Sequence, residues 1–253
     1  MKPKIQIVTD AEALYRAAAT EFMRRAREAV EAKGSFTVVL SGGSTPKGFY
    51  SLLVDDATFR NQIPWDRIYF FWGDERPVPP DHIESNYRMA NEVMLSKVPV
   101  PPTHIHRIRG ENPDAGKAAE EYEQVLRDFF QLSAEQLPRF DLVFLGLGSD
   151  AHTASLFPCT RALQEQKRLV VSNWVGKLYT NRVTLTVPVL NRAACVIFLV
   201  SGDEKALPLK AVLEGRYEPQ QLPAQLIRPD PGELLWLVDH AAARLLQGDE
   251  SCS

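Results

Sequence analysis

The sequence predicts an α/β fold in which helices cover a mainly parallel sheet. Two observations predict it. Short apolar segments alternate along the chain with segments whose apolar residues recur at helical spacing. Several apolar segments, most clearly FDLVFLGLG (140–148), lack the polar alternation of a half-exposed strand and are expected to be buried on both faces. The chain has 253 residues, of which 45% are hydrophobic, so we expect a single domain spanning 1–253.

The first element is a helix from about residue 10 to residue 33. Apolar residues recur there at four-residue spacing from Leu14 to Val30. Thr9 and Glu12 have the spacing of a capping box, which predicts the start of the helix. Gly34 follows the last periodic residue and predicts its end, because glycine tolerates the left-handed conformation that closes many helices.

The next segment, SFTVVLSGGSTPKGFYSLL (35–53), predicts a strand, a glycine-containing loop and a helix that has Pro46 in its first turn. The later strands are expected at 67–73, 140–148, 182–190, 195–202 and 233–239. The later helices are expected at 85–97, 112–132, about 203–215 and about 240–247. Pro188 has no N–H for a sheet ladder, so it indicates an edge, a bulge or an early end of its strand.

Charge and hydropathy exclude several classes of partner. Lys and Arg total 29 against 32 Asp and Glu, which gives a net charge of −3 and a pI near 6.0. A chain without a basic excess is a poor match to duplex nucleic acid or to an anionic membrane surface. No apolar run approaches the ~18 residues of a membrane helix. We expect neither a nucleic-acid partner nor a membrane partner.

The beginning of the sequence and its cysteines indicate a cytoplasmic protein. The first residues contain no long apolar core followed by a small-residue cleavage site, so we expect no export. Cys159, Cys195 and Cys252 are an odd number, lie far apart and form no CxxC pair. We expect no structural disulfide and no cysteine-bound metal.

The glycine loop after the first buried strand is a candidate anion site. Its five residues are Ser41, Gly42, Gly43, Ser44 and Thr45. Free N–H groups at a helix N-terminus attract anions, and three hydroxyls add donors suited to a phosphate. A tight turn with helix-capping hydroxyls explains the same residues, so both interpretations stay open. The spacing is not that of a nucleoside-triphosphate loop.

A second charged segment, WGDER (72–76), follows the next buried strand. Ligands of open α/β sheets bind at such strand ends. Asp74, Glu75 and Arg76 are expected to face solvent or a ligand, because burial of an unpaired charge is costly. The alternative is that Arg76 simply pairs with one of the two carboxylates.

The third segment, GLGSDAHT (146–153), holds the strongest candidate for a catalytic group. It matches G-x-G-x-x-A, but the acidic residue expected about twenty positions later is absent and Pro158 interrupts the following helix, which argues against dinucleotide binding. Asp150 lies two residues from His152 and can orient the imidazole and make it more basic. A histidine with a purely structural role is the alternative.

Lys205 lies at the start of a predicted helix, where a cation opposes the helix dipole. That position is easier to explain if an anion lies nearby, although an ordinary solvated lysine fits as well. His104 and His106 have no third ligand at recognisable spacing, so we expect surface histidines and no metal site. The chain also lacks the GxSxG motif of serine hydrolases.

These segments, taken in order, closely resemble the 6-phosphogluconolactonases. The matching segments are LSGGSTP (40–46), GDERPVPPDHIESNY (73–87), GLGSDAHTASLFP (146–158), NRVTLTVPVLNRAACVIFLVSGDEKA (181–206) and LLWLVDHAAA (234–243). The resemblance implies a three-layer α/β/α sandwich of the glucosamine-6-phosphate-isomerase type, with a mainly parallel, Rossmann-like sheet. It also implies hydrolysis of 6-phospho-D-glucono-1,5-lactone in the oxidative pentose phosphate pathway, without a metal or a cofactor.

Carried over residue by residue, the resemblance makes His152 the general base and Asp150 its supporting carboxylate. The implied sugar-phosphate set contains the 41–45 loop, Arg76, Lys205 and the less clearly matched Arg182, and we add Asp74 to it. The family usually has glycine between the carboxylate and the histidine, whereas Ala151 stands here. If that position needs a positive φ, alanine costs about 1 kcal/mol and tilts His152.

Three other functions remain as alternatives. An amino-sugar-phosphate isomerase/deaminase shares the fold, but the acidic residue that such enzymes carry shortly after the histidine is absent from TASLFPCT (153–160). A non-catalytic phosphosugar-binding protein is the second alternative, and a nicotinamide-dependent dehydrogenase is the weakest. The resemblance leaves open a functional coupling to glucose-6-phosphate dehydrogenase, which makes the lactone.

Overall fold

The computed structural model describes residues 3–247, with ten strands and eight helices in that range. The strands are β1 (Lys4–Val8), β2 (Phe36–Leu40), β3 (Ile68–Trp72), β4 (Asp74–Glu75), β5 (Ile105–His106), β6 (Leu142–Gly146), β7 (Val170–Val175), β8 (Thr180–Leu185), β9 (Cys195–Val200) and β10 (Glu233–Asp239). The helices are α1 (Ala11–Lys33), α2 (Ser44–Asp55), α3 (Ala57–Gln62), α4 (Asn86–Val93), α5 (Ala115–Phe130), α6 (Val187–Asn191), α7 (Ala206–Glu214) and α8 (His240–Ala243).

Seven strands form a parallel sheet in the order β1-β10-β9-β6-β2-β3-β5. Strands β2 and β9 are buried along their whole length, as their unbroken apolar sequences predict. The remaining strands form a small antiparallel sheet in the order β4-β8-β7. The predicted α/β class with a mainly parallel sheet flanked by helices is confirmed.

Aromatic rings join the helices to the sheet. The ring of Phe22 on α1 packs against Phe36 on β2, with 5.7 Å between centroids, and against Phe144 on β6 at 6.3 Å. Along the sheet, on the side of β6 away from β2, Phe198 on β9 stacks on Trp236 on β10 with 3.8 Å between centroids. All five side chains are buried, and this packing holds the central strands in place.

The structure corrects several details of the predicted elements. Asp10, and not Thr9, caps α1, because its side chain accepts a hydrogen bond from the N–H of Ala13. Gly34 ends the helix at φ +81°, as predicted. The strand expected at 182–190 ends at Leu185, and Pro188 lies in α6, so the early strand end is the correct alternative.

Some elements were not predicted, namely the edge strand β1, the short strands β4 and β5, strand β7 and helices α3 and α6. His104 and His106 are only partly exposed, and their rings stack on Tyr69 and Phe71 with 3.9 and 4.7 Å between centroids. The prediction of surface histidines therefore holds only in part, because aromatic side chains at this edge of the sheet stack on both rings.

Cys159 and Cys195 are free thiols, the first exposed and the second buried, and Cys252 lies outside the described residues. No helix within residues 3–247 is long and apolar enough to cross a membrane.

The strand order places the predicted site residues at one edge of the sheet. The chain builds β2, β3 and β5 outward on one side, and then places β6 beside β2 on the other side, followed by β9 and β10. The order thus reverses between β2 and β6. Ligands of open parallel sheets bind outside the carboxyl ends of the strands at such a reversal. The loops that follow β2 and β6 flank this position, and the loops after β3 and β9 come next.

Candidate active site

The glycine loop after β2 leads directly into α2. Gly43 has φ +108° and precedes the first helical residue, Ser44, so the loop lies at the N-terminus of a 12-residue helix, as the anion-site interpretation requires. The hydroxyl of Tyr50 donates to the carbonyl of Ser41 and accepts from its N–H, both at 3.0 Å, which fixes the start of the loop. The Ser41 hydroxyl is buried and has no hydrogen-bond partner within residues 3–247, so it is available to a ligand.

Gly42 joins this loop to the next one. A Cβ at this position would lie 1.8 Å from Oδ1 of Asn86, so only glycine lets the two segments approach so closely. Nδ2 of Asn86 donates to the backbone carbonyl of Asp74 at 3.0 Å and reaches its carboxylate at 3.3 Å. Asn86 therefore connects the loop after β2 to the segment after β3. It lies within the matching segment 73–87, but the sequence analysis assigned it no role.

Asp74 and Glu75 do not face solvent, so the first half of the expectation for these two charges is wrong. Asp74 is 7% exposed and accepts a hydrogen bond of 2.6 Å from Oγ of Ser155. Glu75 is 1% exposed and accepts hydrogen bonds from the N–H groups of Arg76, Asn86 and Tyr87. Burial raises the pKa of Glu75, while these N–H groups act against that rise. Hydrogen bonds offset the desolvation of both carboxylates, and those of Asp74 include one from a distant segment of the chain, which the sequence did not predict.

Arg76 and Arg182 form a pair of neighbouring cations. The guanidinium group of Arg76 donates to the carbonyl of Glu84 at 2.6 Å and forms no ion pair with Asp74 or Glu75, so the alternative of a local ion pair is wrong. Glu75 pairs with Val183 in the antiparallel β4–β8 ladder, so Arg76 and Arg182 each lie one residue beyond the last pair of that ladder. Burial and then the charge of Arg76 lower the pKa of Arg182. An anion bound between the two guanidinium groups would relieve this repulsion.

The imidazole of His152 is held in one orientation by its own loop. Its Nδ1 lies 2.5 Å from Oδ1 of Asp150, an arrangement that places the proton on Nδ1 and leaves Nε2 as the nitrogen that can accept one. Phe157 stacks on the ring with 4.1 Å between centroids. A Cβ on Gly148 would lie 2.0 Å from Nδ1, so the ring occupies space that only a glycine leaves free. The side chain of His152 remains 28% exposed.

The second oxygen of Asp150 binds a residue that sequence reasoning missed. Nζ of Lys177, at the tip of the β7–β8 hairpin, donates to Oδ2. Partial burial raises the pKa of Asp150, but the hydrogen bonds from His152 and Lys177 outweigh it and hold the pKa well below its usual range. Lys177 lies outside every recognised motif, and its contact arises only from the fold of the hairpin.

Ala151 adopts φ +62°, so the position between Asp150 and His152 does require the left-handed region that favours glycine. The 2.5 Å contact between Asp150 and His152 forms nevertheless. The carbonyl of Ala151 accepts from the N–H of Ala224 at 3.0 Å, and its own N–H donates to the carbonyl of Gly148 at 3.0 Å. These two bonds hold the turn in place with alanine present.

Lys205 ends the turn Asp203–Lys205, which follows β9 and leads into α7. The side chain of Asp239 anchors this loop, because it accepts from Oγ of Ser201 at 2.5 Å and from the N–H of Gly202. The ammonium group of Lys205 lies 3.9 Å from Glu204. Since β9 is the neighbour of β6, Lys205 lies on the loop beside the one that carries His152.

A groove of about 1200 Å³ lies on the Asp150 side of His152. Asp150, Phe157, Trp174, Lys177 and Leu207 are among its lining residues. The 41–45 loop and the predicted cations Arg76, Arg182 and Lys205 do not line it. The strand order and the side chains of the four loops, and not this groove, mark the candidate site. No group of three His, Cys, Asp or Glu side chains suited to a metal ion occurs within residues 3–247.

Comparisons with known proteins match nearly the whole chain. Residues 9–236 match the family model described as glucosamine-6-phosphate isomerases/6-phosphogluconolactonase. A 6-phosphogluconolactonase of Synechocystis is 41% identical over 98% of this chain and 100% of the relative. The human 6-phosphogluconolactonase is 41% identical over 85% of this chain and 82% of its own.

Solved structures give the same result. The 6-phosphogluconolactonase from Trypanosoma cruzi superposes with a TM-score of 0.84 at 29% identity, covering 99% of this chain and 98% of the other. The matched region contains all the loops described above, and the chain belongs to the family of glucosamine-6-phosphate isomerases and 6-phosphogluconolactonases.

Proposed function

We propose that this protein hydrolyses 6-phospho-D-glucono-1,5-lactone to 6-phosphogluconate, in the oxidative pentose phosphate pathway of the cytoplasm, as a single domain. One observation carries the proposal. An imidazole held by a carboxylate lies on the loop after β6, and the adjacent strand β2 ends in a glycine loop at a helix N-terminus, in a chain that is 41% identical to a 6-phosphogluconolactonase. Because the substrate is the oxidation product of glucose 6-phosphate, the protein is functionally coupled to glucose-6-phosphate dehydrogenase.

His152 acts as the general base. Its Nε2 takes a proton from a water molecule while the water oxygen bonds to C1 of the lactone. The bond between C1 and the ring oxygen then breaks, and the proton on His152 passes to the departing ring oxygen. Asp150 holds the ring on Nδ1 and stabilises the imidazolium that forms in between. The reaction balances with water alone and transfers no electrons.

The cations and the glycine loop bind the phosphate of the substrate. This group carries about −1.5 to −2 charges at pH 7. The N–H groups that begin α2, the hydroxyls of the 41–45 loop and the side chains of Arg76, Arg182 and Lys205 supply donors and positive charge. Binding at a distance from C1 orients the lactone against His152. Asp74 joins the loops through Ser155 and Asn86, and we assign it that role in place of substrate contact.

The test of this function compares substrates on the unmodified protein. Lactone is generated in place from glucose 6-phosphate and a dehydrogenase, and its loss is followed against spontaneous hydrolysis. We expect a clear acceleration with lactone and no release of ammonia from glucosamine 6-phosphate. Ammonia release would establish the deaminase alternative. Binding of 6-phosphogluconate without turnover would establish a phosphosugar-binding protein instead.

A further inference from the structure

Lys177 lies far from Asp150 in sequence and beside it in space. It belongs to the turn Gly176–Leu178, which joins β7 to β8. The turn places Nζ on Oδ2 of Asp150, the carboxylate oxygen that His152 leaves free. The hairpin therefore holds the carboxylate from outside its own loop.

A fourth residue closes this cluster. The ring of Phe157 stacks on His152 with 4.1 Å between centroids, and Nζ of Lys177 lies 4.8 Å from the centroid of the same ring. Lys177 and His152 thus share two neighbours, Asp150 and Phe157. An ordinary surface ion pair would engage one partner and leave the catalytic groups unaffected.

We propose that Lys177 is a positioning residue, which holds Asp150 in the orientation that presents His152 to the substrate and which opposes premature protonation of His152. This inference rests on the proposed hydrolysis. A carboxylate bound on both oxygens has one favoured rotation, whereas Asp150 alone would rotate about its side-chain bonds. The ammonium group also balances the charge of Asp150, so the carboxylate stabilises an imidazolium less than it would alone.

Few other ionisable groups face this cluster. Cys159 and Arg161 line the same groove, and neither contacts Asp150 within the described residues. Lys205 lies on the neighbouring loop after β9, and Arg182 on strand β8 of the same hairpin. Lys177 is the only lysine or arginine within residues 3–247 that forms an ion pair with Asp150, so its removal changes the charge at the cluster directly.

The test uses Lys177→Met, Lys177→Arg and a matched control, Lys167→Met. Lys167 is an exposed lysine shortly before β7. For Lys177→Met we expect kcat to fall about tenfold with KM changed less than about twofold, because the base is misplaced while phosphate binding is intact. We expect the acid limb of the pH profile to move to higher pH by about half a unit, the size expected for a partly exposed charge pair. Lys177→Arg should restore most of both values, and Lys167→Met should match the unmodified protein.

A second measurement follows His152 directly. The chain has five histidines, so the imidazole signals can be titrated by NMR and His152 identified with a His152→Gln variant. We expect its midpoint to rise in Lys177→Met. An unchanged kcat and an unchanged titration would overturn the proposal. A loss of kcat with an unchanged titration and no rescue by arginine would reduce Lys177 to a structural role. Inactivity of the unmodified protein would refute the proposed function, and the NMR titration would still test Lys177.

Discussion

Replacement of Gly148 by alanine should disable the protein without unfolding it. The added Cβ would lie 2.0 Å from Nδ1 and 2.1 Å from Cε1 of His152, whereas real Cβ atoms stay at least 3.0 Å from other heavy atoms. The imidazole must therefore move by about 1 Å or more. Such a displacement breaks the 2.5 Å contact with Asp150 and takes Nε2 away from the water that it activates.

The Gly148→Ala substitution should reduce the catalytic rate far more than the stability of the protein. A misplacement of about 1 Å at a reacting group costs roughly 100-fold in rate, so we expect kcat to fall by about that factor. Loss of one partly exposed hydrogen bond costs about 1 kcal/mol, which lowers the thermal midpoint of a chain of this length by about 2–4 °C. The φ of Gly148 is not positive, so alanine adds no backbone strain.

The assay is lactone hydrolysis above the spontaneous rate, together with a thermal unfolding curve for each variant. Gly146→Ala is the matched control, because a Cβ at Gly146, two residues earlier at the end of β6, meets no atom within 4 Å. We expect the control to keep its activity. A Gly148→Ala variant within about twofold of the unmodified kcat would refute the assigned position of the base.

Three further predictions concern charges around the site. Arg182→Met should raise KM by roughly 10- to 100-fold and reduce the thermal stabilisation of the protein by inorganic phosphate, which steady-state kinetics and thermal shifts measure. The free protein should stay as stable as before, because Arg182 forms no ion pair within residues 3–247 and is repelled by Arg76. Asp150 has a lowered pKa and stays ionised through the mildly acid range, so the fall in activity expected toward acid pH comes from protonation of the base, His152. Asp150→Asn should lower kcat and move the acid limb of the pH–rate profile to lower pH, opposite to Lys177→Met. Measured pH–rate profiles of the two variants test this. Glu75→Gln should lower the free energy of unfolding in urea by about 2–4 kcal/mol, because the amide NH₂ group would face N–H groups that now donate to the buried carboxylate. An unchanged urea midpoint would show that the protein does not need the charge of Glu75.

Local patterns predicted the main elements because the physics that forms them is local. Apolar runs identified the buried strands β2, β6 and β9, and Gly34 identified the end of α1. The glycine loop and the Asp150–His152 pair were recognisable because their residues are neighbours in the chain. The edge strand β1 was missed because it contains no apolar run. Its residues are exposed along most of the strand, so its sequence does not need one.

The remaining features depend on contacts between distant segments. The burial of Asp74 requires Ser155, which lies 81 residues away in sequence. The contact of Lys177 with Asp150 depends on where the β7–β8 hairpin folds, and no sequence motif predicts that these two residues meet. Asn86 holds two loops together through the space that Gly42 leaves free. Only the folded chain brings these residues together.

The most direct test of the proposed chemistry compares the unmodified protein with His152→Ala on lactone generated in place. We expect the unmodified protein to accelerate hydrolysis and the variant to fall to the spontaneous rate, with binding of 6-phosphogluconate retained in both. A His152→Ala variant that hydrolyses the lactone as fast as the unmodified protein would contradict the assignment of His152 as the base.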